Sequence, residues 1–100
     1  MHKQTKACDI SKAVKDAVWE RDGHKCIICG SSVAFPNAHY IARSHGGLGI
    51  EQNIVSLCAN CHREYDQGQY RRQYGKIIQA YLHTIYPGLD ESKLIYHKYD

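Results

Sequence analysis

The stretch CANCH, residues Cys58–His62, pairs with CIIC, residues Cys26–Cys29, and these two short stretches decide the fold. A two-residue spacer lets both sulfurs of a pair face one ion, at about 2.3 Å from zinc. Two such pairs supply four thiolates, which fill a tetrahedral site and leave no open position for catalysis. The spacing therefore predicts a structural zinc site. The alternative is a set of free or redox-active thiols.

The composition is that of one small globular domain over residues 1–100, with 43% apolar residues and a net charge of +3. A core of this size benefits from metal binding, because the free energy of binding becomes folding free energy. Neither a membrane-length apolar run nor a signal-like N-terminus stands in the sequence. We therefore expect a cytoplasmic protein without a membrane partner, and a free thiol at Cys8.

Helical spacing of apolar residues predicts an N-terminal helix over residues 11–21, with Ser11 as its N-cap and Gly23 as its stop. Residues 1–8 are expected to fray. Residues 32–42 are rich in strand-forming side chains around a Pro36-Asn37 turn signal, which predicts a β-hairpin there.

Three glycines between residues 46 and 49 predict a compact loop, and IVSL, residues 54–57, predicts a strand that leads to the second cysteine pair. A helix is expected to begin near Asn60. A helical extension should occupy about residues 69–100, its main helix ending at Pro87-Gly88. The tail after that turn is expected to dock as a short helical turn or an edge strand.

Chemically versatile residues stand between and beside the cysteine pairs in a definite order: His39, then Gly46-Gly47, then Asn53, then His62 directly after Cys61. This order over about residues 19–66 resembles the HNH endonucleases. More narrowly, it is similar to the zinc-bearing type found in phages and mobile elements. The resemblance implies an α+β fold, the ββα-metal (His-Me) finger, with a four-cysteine structural zinc site and flanking helices.

The resemblance also implies a reaction, the metal-dependent hydrolysis of DNA phosphodiester bonds. His39 falls where the family has its general base, and Asn53 falls where a side chain braces the loop. His62 falls where the family has a ligand of the catalytic divalent metal, such as Mg²⁺. Cys26, Cys29, Cys58 and Cys61 fall where the family has its structural zinc ligands. The chemistry is reasonable, because neutral imidazole accepts a proton near pH 7 and a divalent cation acts as a Lewis acid.

Ala38 departs from the family pattern, because most members have a metal-binding Asp or His before the catalytic histidine. In one interpretation His62, the phosphate and waters hold the ion, with His45 as the nearest auxiliary ligand in sequence. In a second, the register shifts by one residue, so that His39 is the ligand and Tyr40 the base. In a third, catalysis has been lost and a zinc-stabilised DNA-binding module remains.

DNA is the partner that the resemblance implies, and phage packaging or recombination proteins are further candidates. Arg43 is the only Lys or Arg between Cys26 and His62, and it is either a phosphate contact or a solvated arginine. Other phosphate contacts are expected from the densest local group of basic residues, Arg63, Arg71, Arg72 and Lys76, and from Lys12 and Lys15 on the first helix. A redox protein that uses the cysteine pairs is a third class, disfavoured by the lack of a thioredoxin-like context.

Overall fold

The computed structural model describes residues 3–97. Four helices and two strands follow one another along this part of the chain. Their bounds are α1 Lys3–Cys8, α2 Lys12–Arg21, β1 Phe35–His39, β2 Ile54–Leu57, α3 Ala59–Gln67 and α4 Arg71–Ile85. Short 3₁₀ turns cover Arg43–His45, Glu51–Asn53 and Glu91–Leu94. Within residues 3–97 no helix has the length and apolar character needed to cross a membrane.

The predicted N-terminal helix is confirmed as α2. Ser11 is its N-cap, and the Ser11 hydroxyl accepts a hydrogen bond from the Val14 N–H at 3.1 Å. This bond satisfies one of the amide groups that the first turn of a helix leaves unpaired. Val18 is the fully buried residue of α2. The helix therefore forms where capping and apolar spacing predicted it.

The prediction that residues 1–8 fray is wrong for residues 3–8, while residues 1 and 2 lie outside the described part of the chain. Residues 3–8 form α1, and the Cys8 side chain is only 2% exposed. The Ala7 carbonyl accepts a hydrogen bond from the Gly49 N–H at 3.1 Å. The segment is ordered because it packs against the glycine-rich loop, a long-range contact that local sequence does not reveal.

The two strands form one antiparallel sheet, with Ala38 opposite Val55 and His39 opposite Ile54. The predicted hairpin over residues 32–42 is therefore wrong, while the strand at residues 54–57 is confirmed. Between the pairs Phe35–Leu57 and Ala38–Val55, β1 has two residues where β2 has one. The extra residue lies at Pro36-Asn37, and a bulge in an edge strand is a site that tolerates proline. The turn signal thus produces a bulge in place of a chain reversal.

The predicted extension over about residues 69–100 contains one long helix, α4, and its last residues, 98–100, lie outside the described part of the chain. A break at Gly68 separates α3 from α4, and α4 ends just before the predicted Pro87-Gly88 stop. The tail then combines both predicted forms, because the 3₁₀ turn Glu91–Leu94 is followed by a β-bridge between Ile95 and Gly47. Two strands, the following helix α3 and the flanking helices together give the predicted α+β arrangement.

The core lies between the sheet and α4. Its fully buried aliphatic side chains come from β2 and α4; they are Val55, Leu57, Ile78 and Leu82. Ile54 and Leu94 are also buried, but outside this cluster. A buried carboxylate stands beside this core. Asp22 accepts hydrogen bonds from the Arg21 guanidinium, the Ser56 N–H and the Tyr81 hydroxyl. Burial and this hydrogen bond raise the pKa of Tyr81 to about 12.

We expect Asp22→Ala to lower the free energy of unfolding by about 3–5 kcal/mol, because it leaves a half-buried arginine and two further donors without their acceptor. Urea unfolding of the metal-loaded protein would measure this. Asp16→Ala is the matched control, because Asp16 is 63% exposed and pairs only with an exposed lysine. Equal effects of the two substitutions would contradict the role assigned to Asp22.

Candidate active site and four-cysteine cluster

The four paired cysteines meet at one point. The sulfur atoms of Cys26, Cys29, Cys58 and Cys61 all lie within 4.8 Å of one another. The Cys29 N–H donates to the Cys26 sulfur at 3.5 Å, and the Cys61 N–H donates to the Cys58 sulfur at 3.4 Å. Four convergent thiols are a donor set suited to tetrahedral zinc, and the N–H donors favour the thiolate form that binds metal. The cluster could therefore hold a zinc ion.

Thiolate formation is already favoured at Cys26. Burial raises the pKa of the Cys26 thiol, but backbone hydrogen bonds from Cys29, Cys58 and Ile28 outweigh it and bring the value to about 7. Cys58 has a second role as the N-cap of α3. Metal binding at the cluster would therefore fix the beginning of the helix that carries His62.

A cleft of about 640 Å³ lies beside the sheet and contains two of the three predicted catalytic residues, the histidines. His39, at the end of β1, and His62, in the first turn of α3, both line it. The cleft also receives the other candidates of the sequence, Tyr40, Arg43 and His45. Residues from β1, the following loop and α3 are thus brought to one solvent-accessible site.

His39 is half-buried, and its Nε2 atom lies 2.9 Å from the Cys8 carbonyl oxygen. Burial lowers the pKa of the imidazole below its ordinary value of 6.5, and the positive charges of Arg43 and His62 lower it further. The Cys8 carbonyl and the Asp66 carboxylate act in the opposite direction. The net result favours the neutral ring, which is the form that can accept a proton.

Asn53 lies outside the cleft and is fully buried. Its side-chain oxygen accepts from the Ile41 N–H at 2.9 Å, and its amide nitrogen donates to the carbonyls of Ile41 and Leu48 at 3.1 and 2.9 Å. The Asn53 carbonyl also accepts from the Tyr40 N–H at 2.7 Å. Through these bonds Asn53 connects the residues just after His39, Tyr40 and Ile41, with Leu48 in the glycine-rich loop. Asn53 therefore joins the two ends of the segment between β1 and β2.

His62 has a partner that the sequence analysis missed. Its Nε2 atom lies 3.3 Å from an Asp66 carboxylate oxygen, one helical turn further along α3, and both residues line the cleft. The signal was available, because residues four apart on a helix face each other. Imidazole nitrogens and carboxylate oxygens are common ligands of divalent cations in proteins. The pair could hold one side of such an ion.

The remaining candidates have distinct surroundings. Arg43 donates to the Cys8 carbonyl and to the Asp9 carboxylate, the latter at 2.6 Å. His45 is exposed at the end of its 3₁₀ turn. The Tyr40 hydroxyl donates to Glu91 at 3.0 Å, and burial followed by this carboxylate raises the pKa of Tyr40 far above 10. Such a phenol is poorly suited to the role of a base, which disfavours the register-shifted interpretation.

Ala38 points away from the cleft. Its side chain is fully buried among the apolar residues between the sheet and α4, while His39, the next residue, lines the cleft. This is the alternation that a β-strand imposes on neighbouring side chains. Within residues 3–97 the four cysteines are the only group of three or more His, Cys, Asp or Glu side chains with metal-binding separations.

We expect Ala38→Asp to lower the free energy of unfolding by at least about 2–3 kcal/mol, because the new carboxylate would be buried without a partner. Thermal or urea unfolding of the metal-loaded protein checks this. Ala13→Asp, at an exposed position in the first turn of α2, is the control and should be tolerated. A stable Ala38→Asp protein that binds Mn²⁺ more tightly would instead place residue 38 at the cleft.

Comparison with known proteins agrees with these features. Residues 26–68 match the family model described as HNH endonuclease, a segment that contains all four clustered cysteines, His39, Asn53 and His62. A protein named Anaredoxin, from Nostoc sp. (strain PCC 7120 / SAG 25.82 / UTEX 2576), is 31% identical over 51 residues, covering 50% of this chain and 67% of that protein. No solved structure gives a significant match. Residues 26–68, which contain the two paired strands, the helix that follows them and the four clustered cysteines, belong to the HNH endonuclease family.

Proposed function

We propose that this protein is a metal-dependent endonuclease that hydrolyses phosphodiester bonds in DNA. The observation that carries the proposal is that two kinds of group line one cleft. One is His39, a half-buried histidine whose pKa is lowered, and the other is the histidine–carboxylate pair formed by His62 and Asp66. A base and a metal-binding pair in one cleft are the groups that phosphodiester hydrolysis requires.

Each residue has a defined task in this proposal. His39 takes a proton from the attacking water, whose oxygen forms the new bond to phosphorus as the bond to the leaving oxygen breaks. His62 and Asp66 would hold a divalent ion such as Mg²⁺, which supplies Lewis-acid stabilisation when bound. Asn53 keeps the loop after His39 in place through its hydrogen bonds to Ile41 and Leu48.

The charges of the cleft support a phosphate substrate. Arg71, at the beginning of α4, lines the cleft with Arg43, so two guanidinium groups lie beside the histidines. Guanidinium groups bind phosphate oxygens through paired N–H donors. Arg43 already donates to Asp9, so Arg71 is the cation that we expect to contact the DNA backbone first. Contacts of this kind carry little sequence information and weaken as salt increases.

The function is tested with supercoiled plasmid and the zinc-loaded protein in Mg²⁺, Mn²⁺ or Ni²⁺. We expect metal-dependent nicking or linearisation. His62→Ala and Asp66→Asn should each raise the metal concentration for half-maximal cleavage by about 10-fold or more. Asp16→Asn, a charge-matched change on α2, should leave it unchanged. If the parent protein cuts with none of these metals, the nuclease proposal fails.

A non-catalytic, zinc-stabilised DNA-binding module is the second candidate. It is favoured by Ala38, whose buried methyl group supplies no metal ligand. Binding without cleavage, seen as a shift of labelled duplex DNA at low salt in every metal, would support this candidate. A four-thiolate site also suits iron, which would indicate a redox function. Measuring zinc and iron in the purified protein therefore separates the two DNA-directed functions, which require zinc at the cluster, from a redox function.

The pH dependence of cleavage follows from His39. A general base must be neutral, so cleavage should increase as pH rises through the His39 pKa. Because burial and nearby cations lower that pKa, the acid limb should lie below pH 6.5. Arg43→Gln removes one of these charges, so the limb should move to higher pH. Lys25→Gln, at an exposed position between α2 and the first cysteine pair, is the control; an unshifted Arg43→Gln profile would contradict the assignment.

A further inference from the structure

The segment Ala7–Asp9 lies outside residues 26–68, which match the family, yet it contacts the candidate active site directly. The Cys8 carbonyl oxygen is 2.9 Å from His39 Nε2 and 3.2 Å from an Arg43 terminal nitrogen. Asp9 accepts from the other Arg43 terminal nitrogen at 2.6 Å. A part of the chain that the family comparison does not cover therefore contacts two residues that line the cleft, His39 and Arg43.

The contact between Cys8 and His39 determines where the imidazole carries its proton. A carbonyl oxygen only accepts hydrogen bonds, so Nε2 must be the protonated nitrogen of the neutral ring. Nδ1 then has the free lone pair. Among the described residues, none makes a hydrogen bond to Nδ1, which leaves this nitrogen available for water or substrate.

The position of the Cys8 carbonyl is itself held from two sides. The Arg43 fork binds both this carbonyl and the Asp9 carboxylate. On the other side, Gly49 donates its N–H to the Ala7 carbonyl at 3.1 Å. Gly49 is packed so closely that a Cβ atom there would overlap the carbonyl oxygen of Asp9. A side chain at residue 49 would therefore displace the segment, and Gly49 itself does not line the cleft.

We propose that the N-terminal segment completes the catalytic centre: the Cys8 carbonyl holds His39 in the Nε2–H tautomer, so that Nδ1 is the proton-accepting nitrogen. When a water molecule attacks phosphorus, one of its O–H bonds breaks and an Nδ1–H bond forms. The resulting imidazolium keeps its Nε2–H bond to the carbonyl, which stabilises the charge. The catalytic part of this proposal rests on the proposed nuclease function, whereas the tautomer does not.

The tautomer can be measured without any cleavage assay. We would record two-bond ¹H–¹⁵N correlations of the histidine rings in the full-length, zinc-loaded protein, well above the pKa of His39. His39→Gln identifies the signals of residue 39. We expect a single Nε2–H tautomer in the parent and a mixture of tautomers in Gly49→Ala. A parent His39 in the Nδ1–H form, or in a mixture like that of free histidine, would overturn the proposal.

Cleavage is measured on the same samples. Gly49→Ala should slow nicking by about 10-fold or more at saturating metal, in parallel with its loss of the single tautomer. Ala80→Ser, at an exposed position on α4 outside the cleft, should change neither measurement. If Gly49→Ala does not fold, Asp9→Ala at an exposed site replaces it and should loosen the tautomer through Arg43. A variant that mixes tautomers but cuts at the parent rate would refute the catalytic part.

The two proposals fail in different ways. If the parent protein shows the single Nε2–H tautomer but cuts no DNA with any metal, the nuclease function is refuted while the structural role of the Cys8 carbonyl stands. If the parent cuts DNA but its His39 tautomers are mixed, the nuclease function stands and the role of the segment is refuted.

Discussion

Replacing His39 with alanine should lower the rate of DNA cleavage by about 10²–10⁴-fold, which is the usual contribution of a general base. This loss corresponds to about 3–5 kcal/mol of transition-state stabilisation. The affinity for duplex DNA should change little, because the phosphate contacts that we propose involve other side chains, Arg71 first among them. Single-turnover nicking of supercoiled plasmid at saturating metal measures the chemical step, and a gel-shift titration measures binding.

His39→Gln separates loss of the base from loss of a contact. Its side-chain amide can still donate to the Cys8 carbonyl, but it cannot take a proton at neutral pH. It should therefore be as inactive as His39→Ala, and added imidazole should restore part of the activity of the alanine variant. Zinc content and the urea midpoint must match those of the parent. Parental cleavage rates in both variants would assign the activity to another residue or to a contaminant.

Loss of the metal at the four-cysteine cluster should have the second large effect, the loss of cooperative folding at 25 °C. Zinc binding in small zinc domains is worth about 10–16 kcal/mol at neutral pH, which matches or exceeds the whole stability of a typical domain of about 5–15 kcal/mol. Cys58→Ser removes a ligand and alters the N-cap of α3. Chelation or this substitution should abolish the cooperative thermal transition, measured by circular dichroism.

Cys8→Ala is the matched control for the cysteine experiment. Cys8 is also buried, but it is not one of the four clustered residues, so its loss should leave one zinc per chain and a cooperative transition. Metal analysis should show that zinc, and not iron, is bound. A chelated protein that still unfolds cooperatively would mean that the apolar core is sufficient and that the metal site is not structural.

Local signals in the sequence were sufficient for several elements. The spacing of the cysteines predicted a four-sulfur cluster, because a two-residue spacer acts over a single turn of chain. Ser11 and the apolar spacing after it predicted α2, and Pro87-Gly88 predicted the end of α4, since caps and stops depend on neighbouring residues. The order of His39, Asn53 and His62 sufficed for the resemblance to the HNH endonucleases, whose family model matches residues 26–68.

Other features depend on contacts between distant parts of the chain. The Pro36-Asn37 turn signal became a bulge because β1 pairs with β2, some twenty residues away along the chain. Residues 3–8 form a helix beside the loop they contact through Gly49, and no local pattern identifies that partner. Asp66 was given no chemical role because it was interpreted as an ordinary residue of the helix that follows the second cysteine pair, although its four-residue spacing from His62 was informative.

The sequence by itself determined the cysteine cluster, the principal helices and the order of the candidate catalytic residues, because these are set by spacing along the chain. Only the tertiary structure decided that Ala38 faces the core, that Asp66 joins His62, and that the Cys8 carbonyl meets His39 across 31 residues of sequence. The direction of a side chain and the partner of a carbonyl depend on how strands, helices and loops pack. That packing is determined by the whole chain and not by any single stretch of it.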